Sequence, residues 1–127
     1  MTISEALAAA GALTGQTVDA ATAVRWLSEL DGRLALELYR TAARTPYDPT
    51  DDLGTELLVP VPWDGLYVHH LEAMTYFTDG EYDRYEPARA LSEEGIADFR
   101  AYLRRTSPAG EGLFPAAAEA PAAEAGT

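Results

Sequence analysis

The residues best suited to chemistry are concentrated in one short stretch, YFTDGEYDRY, which runs from Tyr76 to Tyr85. It combines tyrosines and carboxylates around a glycine, so it could be an acid–base or calcium site, or a corner between two helices. Tyr82 and Tyr85 share one helical face, whereas Glu81 and Asp83 point elsewhere. Diverging carboxylates do not share a catalytic proton, and the stretch lacks the full ligand spacing of a calcium loop. It therefore predicts a packed helical corner.

Two other groups could bind a metal ion. His69 and His70 are adjacent, and adjacent residues do not face each other on a helix, so a zinc site is not expected. One of the two should face the core with a tyrosine or carboxylate partner. Asp48, Asp51 and Asp52 could chelate a hard cation, but no convergent glutamate accompanies them. We assign no catalytic, cofactor-binding or metal-binding residue from the sequence.

The composition restricts the class of protein. The chain has 127 residues and no cysteine, which suits one domain and excludes disulfides and thiolate metal sites. Its net charge is −12, with 21 acids against 9 bases, and every base is arginine. Such a chain is not expected to grip nucleic acid phosphates. No apolar run approaches the roughly 20 residues of a membrane span. The first residues lack a basic region and carry Glu5, so no signal peptide is expected.

Hydrophobic periodicity predicts two helices in the first third of the chain. The first covers roughly residues 3–12, with Thr2 or Ser4 as its cap and Gly15 past its end. The second begins at an N-cap of Thr17 or Asp19 and is expected to end near Arg44, before a proline. Its apolar stripe recurs at three- and four-residue steps and comprises Val24, Leu27, Leu30, Leu34 and Leu38, with Trp26 on the flank. Asp31 and Gly32 interrupt the pattern, which predicts either a bend or a close approach of another backbone.

A long connection follows at residues 45–65, where four prolines and four aspartates exclude a long helix. Loops of this length are typically either functional or disordered. The apolar run Leu57–Val61 predicts docking, either on a partner or on the domain's own core, and its first three residues are Leu57, Leu58 and Val59. We take these three residues as candidate partner-binding residues.

Two more helices complete the folded part. Asp64 is expected to cap a third helix, and Gly80 supplies the left-handed residue that ends it. Its apolar face comprises Leu66, Tyr67, His70, Leu71, Met74 and Phe77. A short helical turn should then stop at Pro87, where the last helix restarts. Gly95 is a weak point in that last helix.

These elements predict an all-α fold: a small bundle of about four to five helices with a long proline-rich loop. The helical domain is assigned to residues 1–106. Residues 107–127 form a tail rich in alanine, proline and glutamate that cannot bury enough surface to fold alone. Its large apolar residues, Leu113 and Phe114, are the remaining candidate partner-binding residues.

Three stretches together resemble a known family. They are VRWLSELDGRLALELY (Val24–Tyr39), the run from Leu57 to Leu91 that contains DGLYVHHLEA and DGEYDRY, and ADFRAYLRRT (Ala97–Thr106). Across roughly residues 17–106 the chain is similar to the head–tail connector, or adaptor, proteins of phages and prophages. It departs from that family at Glu86 and Pro87, where two asparagines are usual.

The resemblance implies a structural virion protein of the neck, assembled in the host cytoplasm and without enzymatic activity or cofactor. Its subunits would form a ring beneath the portal protein, on the order of twelve copies, joining capsid to tail and the next neck or tail protein. DNA would pass through the ring without specific binding, and no membrane is involved. The tail, with Leu113 and Phe114, would dock onto the portal.

Two alternatives come from other classes of protein. One is a small acidic interaction or regulatory module, for example a decoy that mimics nucleic acid, which requires acids clustered on one face. The other is an enzyme that uses Tyr76, Asp79, His70 or Glu72, which requires these groups to converge in a pocket.

Overall fold

The computed structural model describes residues 1–41 and 44–106, and within them it contains four α-helices: α1 (Ile3–Thr14), α2 (Ala20–Leu34), α3 (Gly65–Thr78) and α4 (Tyr82–Thr106). α2 continues into a π-helical segment, Ala35–Tyr39. The described residues contain no β-strand, and a single bridge pairs Thr2 with Glu56. The prediction of an all-α fold is confirmed. The tail, with Leu113 and Phe114, lies outside the described residues.

The first two helices begin where their capping residues predict. Thr2 and Glu5 form a reciprocal capping box, in which each side chain accepts a hydrogen bond from the other residue's backbone N–H. Gly15 follows α1 in the left-handed conformation, with φ of 72°. Asp19 caps α2 by accepting a hydrogen bond from the Thr22 N–H at 3.2 Å.

The second helical element ends earlier than its sequence predicts. The prediction of an end near Arg44 is wrong, because the chain leaves the helix at Arg40, a non-glycine residue in the left-handed conformation with φ of 57°. The Thr41 N–H donates to the Ala35 carbonyl at 3.0 Å and closes a wide last turn. Outside its own helix, no described atom lies within 4 Å of the position that a Gly32 side chain would take, so no other described backbone approaches it closely. The irregularity is instead the π-helical segment.

α3 and α4 form a helical hairpin around the predicted corner. Gly80 has φ of 75°, and the Glu81 N–H donates to the Tyr76 carbonyl at 2.9 Å. The Phe77 ring contacts those of Tyr82 and Tyr85, with centroids 5.6 and 5.2 Å apart. The corner is therefore packed, as predicted.

The prediction that a helix stops at Pro87 is wrong, since α4 runs through it without a break. A proline removes one helical hydrogen bond, here to the carbonyl four residues earlier. The first turn is held independently, because the Glu81 carbonyl accepts from the N–H groups of Arg84 and Tyr85 and because the Phe77 ring packs on that turn. The helix therefore continues despite the proline.

Gly95 of α4 lies directly against Leu66 of α3. A Cβ atom placed there would lie 2.9 Å from the Leu66 Cβ. No real Cβ tolerates that distance, so glycine is required by packing rather than by backbone conformation. Gly95, which the sequence indicates as a weak point in the last helix, is required for the close packing of α3 and α4.

The core contains side chains from all four helices and from the connection between the π-helical segment and α3. Its most deeply buried large members include Ile3, Leu27, Leu34, Leu38, Val59, Tyr67, Phe99 and Leu103. Each such side chain contributes about 1.5–3 kcal/mol by leaving water. Trp26, predicted on the flank of the α2 stripe, is also buried, with 6% exposure.

Candidate partner-binding site

A charged side chain is buried in this core. Asp31 of α2 is 1% exposed. It lies on the buried side of α2, between Leu30 and Leu34, which are also buried. A carboxylate in such a place needs hydrogen-bond donors, because an unsatisfied buried charge is strongly destabilising.

Three donors from other parts of the chain surround it. The Tyr67 hydroxyl of α3 donates to Oδ1 at 2.5 Å, and the Tyr47 hydroxyl donates to Oδ2 at 2.6 Å. The Leu58 backbone N–H also donates to Oδ2, at 3.0 Å. The Tyr67 oxygen in turn accepts from the Val59 N–H at 2.8 Å. One carboxylate and one phenol therefore hold two consecutive backbone amides.

The protonation states of these groups suit this arrangement. Burial raises the pKa of Asp31, while the hydrogen bonds from Tyr47, Tyr67 and Leu58 oppose that rise. Burial also raises the pKa of both phenols, and the neighbouring Asp31 carboxylate raises them further. Both phenols therefore remain protonated donors through neutral pH.

The connection, residues 44–64, is fixed to the helices along its length. The Tyr47 N–H donates to Ser28 Oγ at 2.9 Å. The carbonyls of Leu53 and Thr55 accept from the Ser4 and Ile3 N–H groups, at 2.8 and 3.0 Å. These bonds also satisfy two of the N–H groups that the first turn of α1 leaves open.

The candidate run Leu57–Val59 lies in this fixed part. Leu57 and Val59 are 5% and 0% exposed, and Leu58 is half-buried against the same core. For these three residues, docking on the domain's own core is what the structure shows. The Tyr39 hydroxyl completes the attachment by donating to the Leu58 carbonyl at 3.2 Å.

The residues immediately after Val59 are exposed. We define the tip as Pro60, Val61 and Pro62, all exposed, with Val61 at 71%. The peptide between Val61 and Pro62 is cis. The tip is closed by a hydrogen bond from the Trp63 N–H to the Pro60 carbonyl at 3.0 Å. The docking run predicted from the sequence extends to Val61, but the candidate partner-binding residues taken from it, Leu57, Leu58 and Val59, anchor the loop and do not form the tip.

Trp63 fixes the other side of the tip. Its ring lies 4.1 Å from that of Tyr102 and 5.6 Å from that of Phe99, centroid to centroid, on α4. Asp64 follows at the N-cap of α3, but its carboxylate does not cap the helix as predicted. It accepts instead from the Met1 amino group at 3.0 Å. The exposed tip is thus held between two attached segments.

The remaining candidate residues do not converge on a shared site. His69 Nδ1 lies 3.1 Å from Glu72 Oε1. His70 is half-buried, and burial lowers its pKa although a hydrogen bond to the Trp26 backbone opposes the shift. Tyr76 is buried in the corner, whereas Asp79 is exposed.

The three loop aspartates serve the loop backbone. Asp48 Oδ1 accepts from the Thr50 and Asp51 N–H groups at 2.7 and 2.8 Å, and these bonds lower the pKa of Asp48. Asp52 Oδ2 accepts from the Asp48 N–H at 2.7 Å. Within residues 1–41 and 44–106, no group of three potential ligands is arranged to hold a metal ion.

An open groove of about 690 Å³ lies between α1, the start of α2 and α3. Its lining is mostly small and apolar, and includes Leu7, Gly11, Val18 and Trp26. Of the described residues that line the groove, only Asp19 is titratable, and its carboxylate caps α2. The groove therefore offers a concave, mostly apolar surface with few ionisable groups.

No helix in the described part of the chain has the length and apolar character that crossing a membrane requires. Comparison with protein-family models, with curated proteins and with solved structures finds no match to this chain.

Proposed function

We propose that this chain is a head–tail connector of a phage or prophage. Its copies form a ring beneath the portal protein, extend the DNA channel and join the capsid to the next neck or tail protein. Such a protein binds its neighbours in the virion and catalyses no reaction. The proposal starts from the resemblance of residues 17–106 to that family and is supported by how the chain presents its loop.

The observation that carries the proposal is the rigid presentation of the tip. A connector must offer a fixed surface to a large neighbour, and preorganised segments lose less conformational freedom on binding. Here Asp31 and Tyr67 hold the two amides before Pro60, and Trp63 packs after Pro62. In some proteins a buried charge serves to fix one conformation rather than to add stability. Its partners here fix a loop whose apolar end is exposed.

The surface charge suits a DNA passage. Exposed acids occur on α1, α2, α4 and the connection, as Glu5, Glu29, Asp48, Asp51, Asp83, Glu86, Glu93, Glu94 and Asp98. A ring of such subunits repels phosphate at many positions, so DNA can slide without adhering. The second candidate, an acidic decoy, requires these exposed acids to lie together on one face.

The test is a binding experiment with the portal protein of the phage or prophage that encodes the chain. Immobilised portal should retain the wild-type chain, and sedimentation of the complex should show several copies per portal. Val61→Asp should reduce retention at least tenfold, because burying a valine contributes about 1.5–3 kcal/mol and 1.4 kcal/mol is tenfold in affinity. The matched control is Leu91→Asp, which alters a side chain on α4 that is 46% exposed.

The outcomes separate the parts of the proposal. Failure of the wild-type chain to bind the portal overturns the connector function. Equal retention of wild type and Val61→Asp shows that the tip is not the docking surface. Equal loss for Val61→Asp and Leu91→Asp has the same meaning, because the effect is then not specific to the tip.

A further inference from the structure

The corner between α3 and α4 exposes aromatic surface that the described chain does not cover. Phe77 and Tyr82 contact each other, yet they are 50% and 58% exposed. Aromatic residues are enriched at protein interfaces, and contiguous exposed apolar surface can mark a binding site. Three exposed acids, Asp79, Asp83 and Glu86, lie in the same stretch of sequence. We call this set of five residues the aromatic corner.

The opposite end of α4 has the complementary charge. Residues 99–106 contain three arginines and no acid, in a chain whose net charge is −12. These residues, Arg100, Arg104 and Arg105, form no ion pair with any other described residue. Arg104 and Arg105 are exposed. We call these three the arginine end.

We propose that the aromatic corner of one copy binds the arginine end of the next copy. The proposal rests on the connector function and specifies how its subunits contact each other. The partner is a second copy because one chain carries both halves of the match. The two surfaces lie at opposite ends of the 25-residue helix α4, which spans roughly 36 Å, so one chain cannot join its own.

The chemistry of the contact is that of guanidinium groups on aromatic rings beside carboxylates. Arginine stacks on the faces of tyrosine and phenylalanine and pairs with carboxylates in a planar geometry. The chain already uses the first contact internally, because the Arg84 guanidinium lies 5.8 Å from the Tyr76 ring centroid. The exposed Phe77 and Tyr82 rings offer the same kind of surface to an incoming arginine.

The symmetry of the contact follows from its two different halves. A contact between unlike surfaces is heterologous, and its repetition generates a ring when the rotation closes. A contact between identical patches would stop at a dimer. Two complementary surfaces separated along one helix are therefore what a ring-forming subunit needs.

The test measures self-association of the full chain without portal, by sedimentation velocity over a range of concentrations at low and high salt. The wild-type chain should associate at low salt and dissociate as salt screens the ion pairs. Asp79→Arg with Asp83→Arg, and separately Arg104→Glu with Arg105→Glu, should each weaken association at least tenfold. Helix content by circular dichroism should be unchanged, since all four side chains are exposed.

The decisive variant combines all four substitutions in one chain. It exchanges the charges of the two surfaces and keeps the net charge of wild type, so it should associate within threefold of wild type. A purely structural effect of the substitutions would not be reversed by combining them. The matched control is Glu93→Arg with Glu94→Arg, which makes the same charge change midway along α4 and should associate as well as wild type or better.

A wild-type chain that remains monomeric at low salt overturns this inference, and so does a combined variant that stays as weak as either pair. Neither result affects binding of the chain to the portal, which is measured separately. A chain that associates as described but ignores the portal retains the inference as a statement about self-assembly and overturns the connector function.

Discussion

The Asp31 carboxylate of α2 and the Tyr67 hydroxyl of α3 are joined by a 2.5 Å hydrogen bond across 36 residues of sequence. The same Tyr67 oxygen accepts from the backbone of Val59. The pair therefore connects two helices to each other and to the loop between them.

Two replacements of Asp31 should show how much its hydrogen bonds contribute to stability and how much the burial of its carboxylate costs. Asp31→Asn keeps one acceptor oxygen and should lower the free energy of unfolding by about 1–3 kcal/mol. Asp31→Leu leaves both phenols and the Leu58 N–H without an acceptor and should lower it by about 3–5 kcal/mol. Urea unfolding measures both, and amide exchange at Leu58 should accelerate in each. A more stable Asp31→Leu variant would show that the core tolerates losing the carboxylate.

Alkaline pH should destabilise the fold through the buried phenols. Tyr47 and Tyr67 have a pKa raised above the ordinary value of 10.0. Above about pH 10 the unfolded chain loses these protons while the folded chain keeps them, so stability falls as pH rises. Each phenol contributes a slope of about 1.4 kcal/mol per pH unit. The free energy of unfolding, measured between about pH 9 and 11.5, should therefore fall less steeply with pH for Tyr67→Phe than for wild type. Identical slopes in wild type and variant would contradict the assignment.

Two helical glycines should respond to alanine with opposite signs. Gly95→Ala places a methyl group 2.9 Å from the Leu66 Cβ and should cost about 1–3 kcal/mol of stability. Gly32→Ala enters open space within α2 and should add about 0.5–1 kcal/mol. Thermal unfolding of the two variants is the measurement. Stabilisation by Gly95→Ala would mean that α3 and α4 are not in close contact there.

Mild acid should weaken the fold through His70. Burial holds the pKa of His70 below the ordinary 6.5, with the Arg33 charge acting in the same direction. The unfolded chain therefore takes up a proton first as pH falls below 6.5, and stability decreases. His70→Gln should remove this decrease between pH 7 and 5, whereas His69→Gln should retain it. Chemical unfolding at those two pH values decides between them.

Local signals in the sequence predict much of the fold. Capping at Thr2 and Asp19 and the left-handed Gly15 and Gly80 are decided within a few residues, and all four are found. The packed corner is predicted for the same reason, because the spacing of its tyrosines places them on one helical face. Features fixed by short-range geometry can be found without knowledge of the tertiary structure.

Features that depend on distant neighbours are the ones that sequence reasoning misses. Nothing near Gly95 indicates that Leu66 lies against it, and nothing near Pro87 shows that the turn before it is held by Phe77. Asp31 did carry a signal, since it is an acid flanked by the apolar stripe of α2. Its partners come from an irregular loop without periodicity, so the signal pointed to no specific contact.

The way the loop is attached also means that the tip forms only after the helices have packed together. The amides of Leu58 and Val59 find their acceptors only after α2 and α3 have come together around Asp31 and Tyr67. A chain that has not completed its tertiary structure therefore has no formed tip to offer. Under the docking through Val61 proposed above, a portal would therefore bind only subunits whose tertiary structure is complete.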